Sequence, residues 1–353
     1  MRFVVAMSGG VDSSVAAALL AEQGHEVIGV SMQLYDQTEG QTGFGTCCTI
    51  DDLYDARRVA AAIGIPHYIV NFENRFDEQV VSNFIREYAA GRTPIPCAHC
   101  NADLKFSTLL ERAIGYGADR LATGHYARVD RAADGAYLLR RGADAAKDQT
   151  YFLFSLTQDQ LARAAFPVGA SSKEQVREHA RRLKLRVAAK PDSQEICFIP
   201  DGDYAAFIER SAPELKRPGA LVDRSGAVVG GHEGVHRFTI GQRKGLGLSA
   251  STPLYVLEIR AGTAEVVVGR RQDLEQTRLT ASQVNWISGQ PAVDWAPVTA
   301  QIRHRHVPAP ARVRASGPAQ AELEFDAPQT AITPGQAVVF YDGDVVVGGG
   351  WID

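Results

Sequence analysis

The first part of the chain repeats one pattern: a short apolar run, then apolar residues at helical spacing. "RFVVAM" reads as a buried strand and "DSSVAAALLAEQ" as the helix after it, with Asp12 or Ser13 as N-cap and Gly24 just past the end. "EVIGVSM", "PHYIVNF" and "ADRLATGH" are the next strands. Between them lie two helical stretches, "DDLYDARRVAAAI", closed by Gly64, and "RFDEQVVSNFIREYAAG". Apolar, β-branched strands alternating with helices predict an α/β fold, a parallel sheet covered by helices on both faces.

The pattern then changes. "YARVDRAADGAYLLRRG" reads as a hairpin turning near Asp134 and Gly135, and "TQDQLARAAF" and "SKEQVREHARRLKL" as helices. From about Gly219 short strands recur between Gly, Pro and Asp: "GALVD", "GAVVGG", "PLYVLEI", "TAEVVVG", "APVTAQIRH", "QAELEF" and "QAVVFYDGDVVVGG". Such spacing predicts small β-domains, the last a barrel. The expected division is a catalytic α/β domain over 1–200, a central β-rich linking domain over 201–275 and a C-terminal β-barrel over 276–353. A chain of 353 residues has room for three such units.

Composition narrows the classes. No apolar run is long enough to span a bilayer, and "FVVAM" is too short for a signal-peptide core, so a cytoplasmic protein without membrane contact is expected. Five cysteines, an odd number, fit reduced thiols with chemical or metal-binding roles better than a disulfide framework. A formal net charge of −4 neither calls for a nucleic acid nor excludes one, because local patches decide contact with phosphates.

The first strand-to-helix junction carries the densest chemistry, "SGGVDSS". Gly9 and Gly10 let a ligand approach the backbone without meeting a Cβ. The helix that follows offers its unpaired N–H groups and the positive end of its dipole. Ser8, Ser13 and Ser14 add hydroxyl donors. The lysine that ends a Walker loop is missing, and Asp12 stands in the loop instead. A carboxylate beside phosphate makes sense where Mg²⁺ bridges the two. The alternative is an ordinary β-α turn, which has no use for so dense a cluster of small polar residues.

Two further segments carry thiols. "GRTPIPCAHCNADLKF" holds Cys97 and Cys100, with prolines stiffening the approach and a helix expected to start at Asn101. A thiol at such a helix start has a lowered pKa. "KPDSQEICFIP" holds Cys197, with Lys190 nearby. Three uses fit the spacing equally well. Cys97, Cys100, His99 and Cys197 would make a zinc site. Cys97, Cys100 and Cys197 would hold a 4Fe–4S cluster with one iron open. Cys100 and Cys197 would be a pair of thiols that carry and release sulfur. Cys47 and Cys48, in "GQTGFGTCC", read as local packing.

"SGGVDSS" resembles the loop of the ATP-pyrophosphatase (PP-loop) superfamily, whose members cleave ATP between the α- and β-phosphates. The words around the cysteines are more specific. "GRTP-x-P-x-x-x-CN-x-x-x-KF", "DSQEICFI", "ATGHYAR", "KDQTYFL", "TIGQRKGLG" and "TPGQAVVFYDGD" resemble segments of the tRNA-specific 2-thiouridylase family, in the same order along the whole chain. That resemblance implies 2-thiolation of the wobble uridine at tRNA position 34. ATP would adenylate the C2 oxygen, turning a poor leaving group into AMP. It also implies a persulfide donor, such as a cysteine desulfurase or a sulfur-relay protein. In the family pattern Cys100 is the nucleophile and Cys197 carries the persulfide, and the two end as a disulfide that a reductant reopens. Some members have Asp where this chain has Cys97, which leaves the cluster on Cys97, Cys100 and Cys197 as the alternative sulfur chemistry.

For ATP, the resemblance points to Ala6, Met7, Ser8, Gly9, Gly10, Val11, Asp12, Ser13, Met32 and Gly124, with Asp12 on Mg²⁺ and pyrophosphate. Read alone, Met32 would be core, whereas Gly124 follows a strand where nucleotide crevices lie. For the anticodon stem-loop it points to His125, Lys147, Asp148, Gln149, Arg303, His304 and Gln336. Read alone, His125 is a site-lining histidine. "KEQVREHARRLKLRVAAK" reads either as a solvated basic face or as a phosphate contact. Arg303 and Arg305, at alternate positions of an expected strand, would share one face. Two rivals remain: an adenylating enzyme acting on a small molecule, and a non-catalytic tRNA- or metal-binding protein.

Overall fold

The structure, a computed structural model, describes residues 1–35, 50–192, 196–199 and 201–353, so Cys47 and Cys48 lie outside the described residues. Strands β1 (Arg2–Ala6), β2 (Glu26–Gln33), β3 (His67–Asn71), β4 (Arg120–Ala122) and the short Ala164–Ala165 form a five-stranded sheet. Every pairing in it is parallel, in the order β3-β2-β1-β4 with Ala164–Ala165 outermost. The chain winds outward from β1 to β3, then returns to place β4 on the other side of β1. That reversal opens a crevice beyond the carboxyl ends of β1 and β4, where open α/β sheets bind ligands.

Helices α1 (Val11–Glu22) and α2 (Ile50–Ile63) cover one face. Val15 and Leu20 of α1 and Ala56 and Val59 of α2 pack with Phe3 and Val5. Gly24 and Gly64, just past these helices, both have positive φ. The start of α1 differs from the expectation. Its N-cap is Gly10, with no side-chain cap, rather than Asp12 or Ser13. Gly9, at φ 75°, turns the chain early enough for Val11 to be helical already. The Ser13 hydroxyl then serves the loop by accepting a hydrogen bond from the Ser8 N–H at 3.1 Å.

The other face is covered by two longer helical runs. The first is continuous through Glu73–Phe76, Asp77–Val81 and Ser82–Ala89, with a π-helical turn in its middle. The second runs through Pro96–His99, the π-helical Cys100–Leu109 and Leu110–Gly115. It therefore begins at Pro96, not at Asn101. Proline suits a first helical position because its missing N–H would have no intrahelical partner there. Cys97 lies in the first turn, and Cys100 sits a turn inside.

The hairpin β5 (Ala127–Arg131) and β6 (Tyr137–Arg141) forms as expected but leaves the parallel sheet. It joins the edge of the C-terminal sheet, where Arg140 of β6 pairs with Val345. Arg128 and Arg140 both bind the Asp344 carboxylate, at 2.8 and 2.6 Å. The C-terminal sheet closes on itself, because Glu275–Trp286 pairs with both Gln320–Thr330 and Val345–Ile352. The result is a six-stranded antiparallel barrel extended by the hairpin. Between the α/β unit and the barrel, a four-stranded sheet packs around Leu221, Val256, Val266 and Val268.

One core runs across these units. Phe84, Phe106 and Leu104 of the helical layer belong to the same buried cluster as Ile287, Ala337, Val339 and Tyr341 of the barrel. The Tyr151 hydroxyl donates to the Ala337 carbonyl at 3.0 Å, and Asn285 donates to the carbonyls of Phe154 and Leu156.

Gly9 is the tightest point under the first loop. A Cβ there would lie 2.2 Å from the Asp52 carbonyl oxygen, at a φ that side chains rarely adopt. Gly9→Ala is expected to lower stability by about 1–3 kcal/mol. A chemical-denaturation midpoint equal to that of the parent would contradict this packing.

Candidate active site

A cavity of about 1130 Å³ occupies the crevice beyond β1 and β4. Its floor is the glycine loop: Ala6, Met7, Ser8, Gly10, Val11, Asp12 and Ser13. Met32 and Gly124 flank that floor, Cys97, Cys100 and Asn101 come from the second helical run, and Cys197 comes from the segment after Asp192. The barrel supplies the far wall through Thr299, Gln301, His304 and Arg305. Chemistry separated by most of the chain length thus meets in one space.

The loop is braced from within. Ser14 Oγ donates to the Gly10 carbonyl at 2.8 Å, and Ser31 Oγ donates to the Met7 carbonyl at 2.6 Å. Gly124 presses on the start of α1, where a Cβ would lie 2.5 Å from the Ser13 nitrogen. Lys190 fastens the loop to α2. Its ammonium meets the Gly9 carbonyl at 3.1 Å, Asp52 at 2.5 Å and Asp55 at 2.8 Å. Burial alone would depress the Lys190 pKa, but the two carboxylates outweigh it and raise it.

Asp12 faces a cation supplied by another element. Lys173, the first residue of the helix Lys173–Arg182, places Nζ 2.8 Å from both Asp12 oxygens and 2.7 Å from Asp192 Oδ1. The Tyr126 hydroxyl donates to Asp12 Oδ1 at 2.8 Å. Burial, then the Asp12 charge, raises the Tyr126 pKa far enough that it remains a donor. Asp192 also receives Lys147 at 2.7 Å and Arg177 at 3.2 Å. Burial would push the Asp192 carboxyl up, yet hydrogen bonds from Lys147 and Lys173 hold it down at about 2.

His125 lies on the wall with Nδ1 2.6 Å from the Thr123 hydroxyl. Burial, then nearby Lys105, lowers its pKa well below the usual range, so it is neutral near pH 7. Lys147, Asp148 and Gln149 line the cavity as well. Asp148 is nearly buried and accepts from Arg141, the Gly142 N–H and Thr150, and Gln149 accepts from the Tyr126 N–H. His304 packs its ring 4.6 Å from that of Phe152. Arg303 and Gln336 are not on the cavity wall. Gln336 instead donates to the Thr93 carbonyl at 2.8 Å, and Arg303 donates to the Thr330 carbonyl at 3.1 Å. The strand Ala296–Gln301 ends before Arg303, so Arg303 and Arg305 do not share a strand face.

Other basic residues are held by carboxylates. Arg181 pairs with Glu174 and Arg182 with Glu22, while Arg312 and Arg314 pair with Glu324 and Glu322. Cys97 is exposed, and Cys100 and Cys197 are half-buried. His99 stacks on Trp351 of the barrel, ring centroids 4.4 Å apart. Among the described residues no group of three or more His, Cys, Asp or Glu side chains is placed to hold a metal ion. The zinc and iron–sulfur sets considered from spacing find no such group among the described residues. Sequence reading missed Tyr126 and Asp192, and it took Lys173 for a solvated or tRNA-phosphate residue rather than the partner of Asp12. The signal was available in Asp12 itself, since a carboxylate in a phosphate loop needs a counter-charge from elsewhere.

Family models match along the chain: a tRNA methyl transferase HUP domain over 1–201, a tRNA methyl transferase PRC-barrel domain over 205–270 and an aminomethyltransferase beta-barrel domain over 276–352. The tRNA-specific 2-thiouridylase MnmA of Geotalea uraniireducens is 53% identical, covering 100% of this chain and 95% of its own. That of Geobacter metallireducens is 52% identical, covering 100% and 96%. The chain belongs to the tRNA-specific 2-thiouridylase family. Membership makes it an enzyme, a sulfurtransferase. Solved structures are more distant: a 4-thiouridine synthetase–RNA complex with bound ATP aligns at 16% identity and TM-score 0.36, over 60% of this chain and 50% of its own. No helix among the described residues is long and apolar enough to cross a membrane.

The Asp192 carboxyl has its pKa lowered from 3.8 to about 2, so its stabilising contribution is full above the unfolded value and lost as pH falls through the folded one. Between those two values, stability should drop less steeply with acid in Asp192→Asn than in the parent. Parallel pH profiles of the two proteins across that window would contradict the network.

Proposed function

We propose that the protein thiolates C2 of the wobble uridine of tRNA, using ATP to activate the C2 oxygen and a persulfide on Cys197 to deliver sulfur. The observation that carries this reading is the single cavity shared by the glycine loop, Cys100 and Cys197. An activation site and a pair of thiols are of use to one another only if both reach the same atom.

ATP would lie with its β- and γ-phosphates on the loop, against the start of α1, and its base toward Met32 and Gly124. Asp12 is the carboxylate that would hold Mg²⁺, an ion satisfied by one carboxylate together with phosphate oxygens and water. A metal held there would supply positive charge to the departing pyrophosphate. The C2 oxygen attacks the α-phosphate, the α–β bond breaks, and pyrophosphate departs. The terminal sulfur of the Cys197 persulfide then attacks C2 and expels AMP. Cys100, as thiolate, attacks the Cys197 sulfur and leaves the transferred sulfur on the base. The two cysteines become a disulfide, which an external thiol reductant reopens.

The uridine has to leave the anticodon stack to enter the cavity. Neutral His125, Lys147 and Gln149 on the α/β side and His304 on the barrel side are the contacts proposed for it and its neighbours. Arg303 and Gln336 lie off the cavity wall and are not among these contacts. The persulfide comes from a sulfur-donor protein that must reach Cys197.

Cys100→Ser and Cys197→Ser are each expected to lower 2-thiouridine formation at least about a hundredfold. Both should still release pyrophosphate from ATP in the presence of tRNA, because activation precedes the thiol steps. Mass spectrometry of tRNA nucleosides beside a pyrophosphate assay reads the two separately. Full thiolation by either variant would refute the two-thiol scheme.

A further inference from the structure

We propose that Lys173 is the phosphate-binding cation that the glycine loop does not contain, delivered from a distant helix and exchanged between Asp12 and phosphate. The proposal rests on the reading of the loop as an ATP site with Asp12 as its metal ligand.

A triphosphate brings several negative charges to a loop whose one charged side chain is an acid, Asp12. The ammonium groups of Lys190 and Lys173 bind this loop directly, and their environments separate their roles. Lys190 is held by Asp52, Asp55 and the Gly9 carbonyl. These three acceptors use all the donors of an ammonium, so Lys190 fastens the loop. Lys173 is held by Asp12 and Asp192. Asp12 is the carboxylate for which a divalent cation competes.

When such a cation takes Asp12, Lys173 loses its principal acceptor and faces a second positive charge across it. Phosphate oxygens arriving on the loop are then the nearest replacement. The base of the side chain stays where it is. The Lys173 N–H is bound to Asp144 at 2.9 Å, and Ser172 and Gln175 close a capping box at the same turn. Only the flexible four-carbon stem has to move, which suits lysine better than arginine. Asp192 keeps Lys147 and Arg177 during the exchange, so it is not left uncompensated. Before ATP arrives, Lys173 offsets the repulsion that Asp12 would exert on any anion entering the loop.

ATP binding to the full chain, followed by titration calorimetry with Mg²⁺, tests this in the parent, Lys173→Gln and Lys173→Arg. Lys173→Gln should bind ATP roughly ten- to a hundredfold more weakly, the worth of a hydrogen bond to a charged group. Lys173→Arg should stay nearer the parent because it keeps the charge. Unchanged affinity in Lys173→Gln, or equal loss in both variants, overturns the proposal. A second readout moves the other way. Mn²⁺ alone, followed by its electron paramagnetic resonance signal, should bind ligand-free Lys173→Gln more tightly than the parent, and Asp12→Asn should remove that gain. Equal or weaker Mn²⁺ binding overturns the exchange. In the parent itself, Mn²⁺ alone should speed acetylation of the Lys173 amine and added ATP should slow it again. A labelling rate that Mn²⁺ leaves unchanged also overturns the exchange. A parent protein that binds no ATP refutes the ATP reading, whereas ATP binding that is indifferent to Lys173 refutes only this proposal.

Discussion

The ammonium of Lys173, held between the carboxylates of Asp12 and Asp192, is the contact on which the rest of the site depends. It joins three parts of the chain that the sheet alone does not fix relative to one another: the start of α1, the helix Lys173–Arg182 and the segment leading to Cys197. Two partly buried carboxylates on one wall would repel each other without it, and removing one member of such a group leaves charge in a poorly solvated place. Lys147 and Arg177 on Asp192, and Tyr126 on Asp12, complete the set. The glycine loop keeps its shape because charge is balanced around it as well as because glycine permits its turn.

The cavity is also a product of the fold's seams. An α/β sheet of this order provides the nucleotide side at the reversal between β1 and β4. It has no means of closing the opposite side. The barrel does that, with Thr299, Gln301 and His304 projecting from its end. The two units meet through buried apolar side chains as well as hydrogen bonds, so the wall they form together is a packed one. The ring of His99, between Cys97 and Cys100, lies flat against Trp351 of the last barrel strand. The thiol-bearing helix is thereby registered on the barrel as well as on the sheet.

Local signals carried much of this. Apolar runs, helix-stopping glycines and the hairpin turn at Gly135 placed the first strands and helices to within a residue or two, but Ala164–Ala165, read as the end of a helix, is the outermost strand, and the helix Tyr204–Ser211 and the strand Ala309–Gly317 were not read. The glycine loop and the two thiol segments were legible because small polar residues and cysteines have few other reasons to cluster. What was not legible depended on distant partners. Glu275–Trp286 is mostly polar and exposed along its first half, so its place in the barrel comes from pairing with two other strands rather than from its own pattern. The stretch from Lys173 to Lys190 read either as a solvated basic face or as a phosphate contact, because sequence does not show that Lys173 and Lys190 turn inward to acids while Arg181 and Arg182 pair at the surface. Arg303 and Arg305 seemed to share a strand, but the strand stops at Gln301.

The hairpin β5–β6 has a consequence for the order in which the protein can form. Its outer edge is satisfied at Arg140 by Val345, some two hundred residues later in the chain. During synthesis the parallel sheet and its helices are available long before that partner emerges, and loop closure over such a distance is slow compared with local pairing. Until the barrel closes, the nascent α/β unit carries an unpaired strand edge and half of a shared core, the kind of surface that invites misassembly. Completion of the barrel is thus the step that ends this exposure, and it is the same step that gives the cavity its second wall.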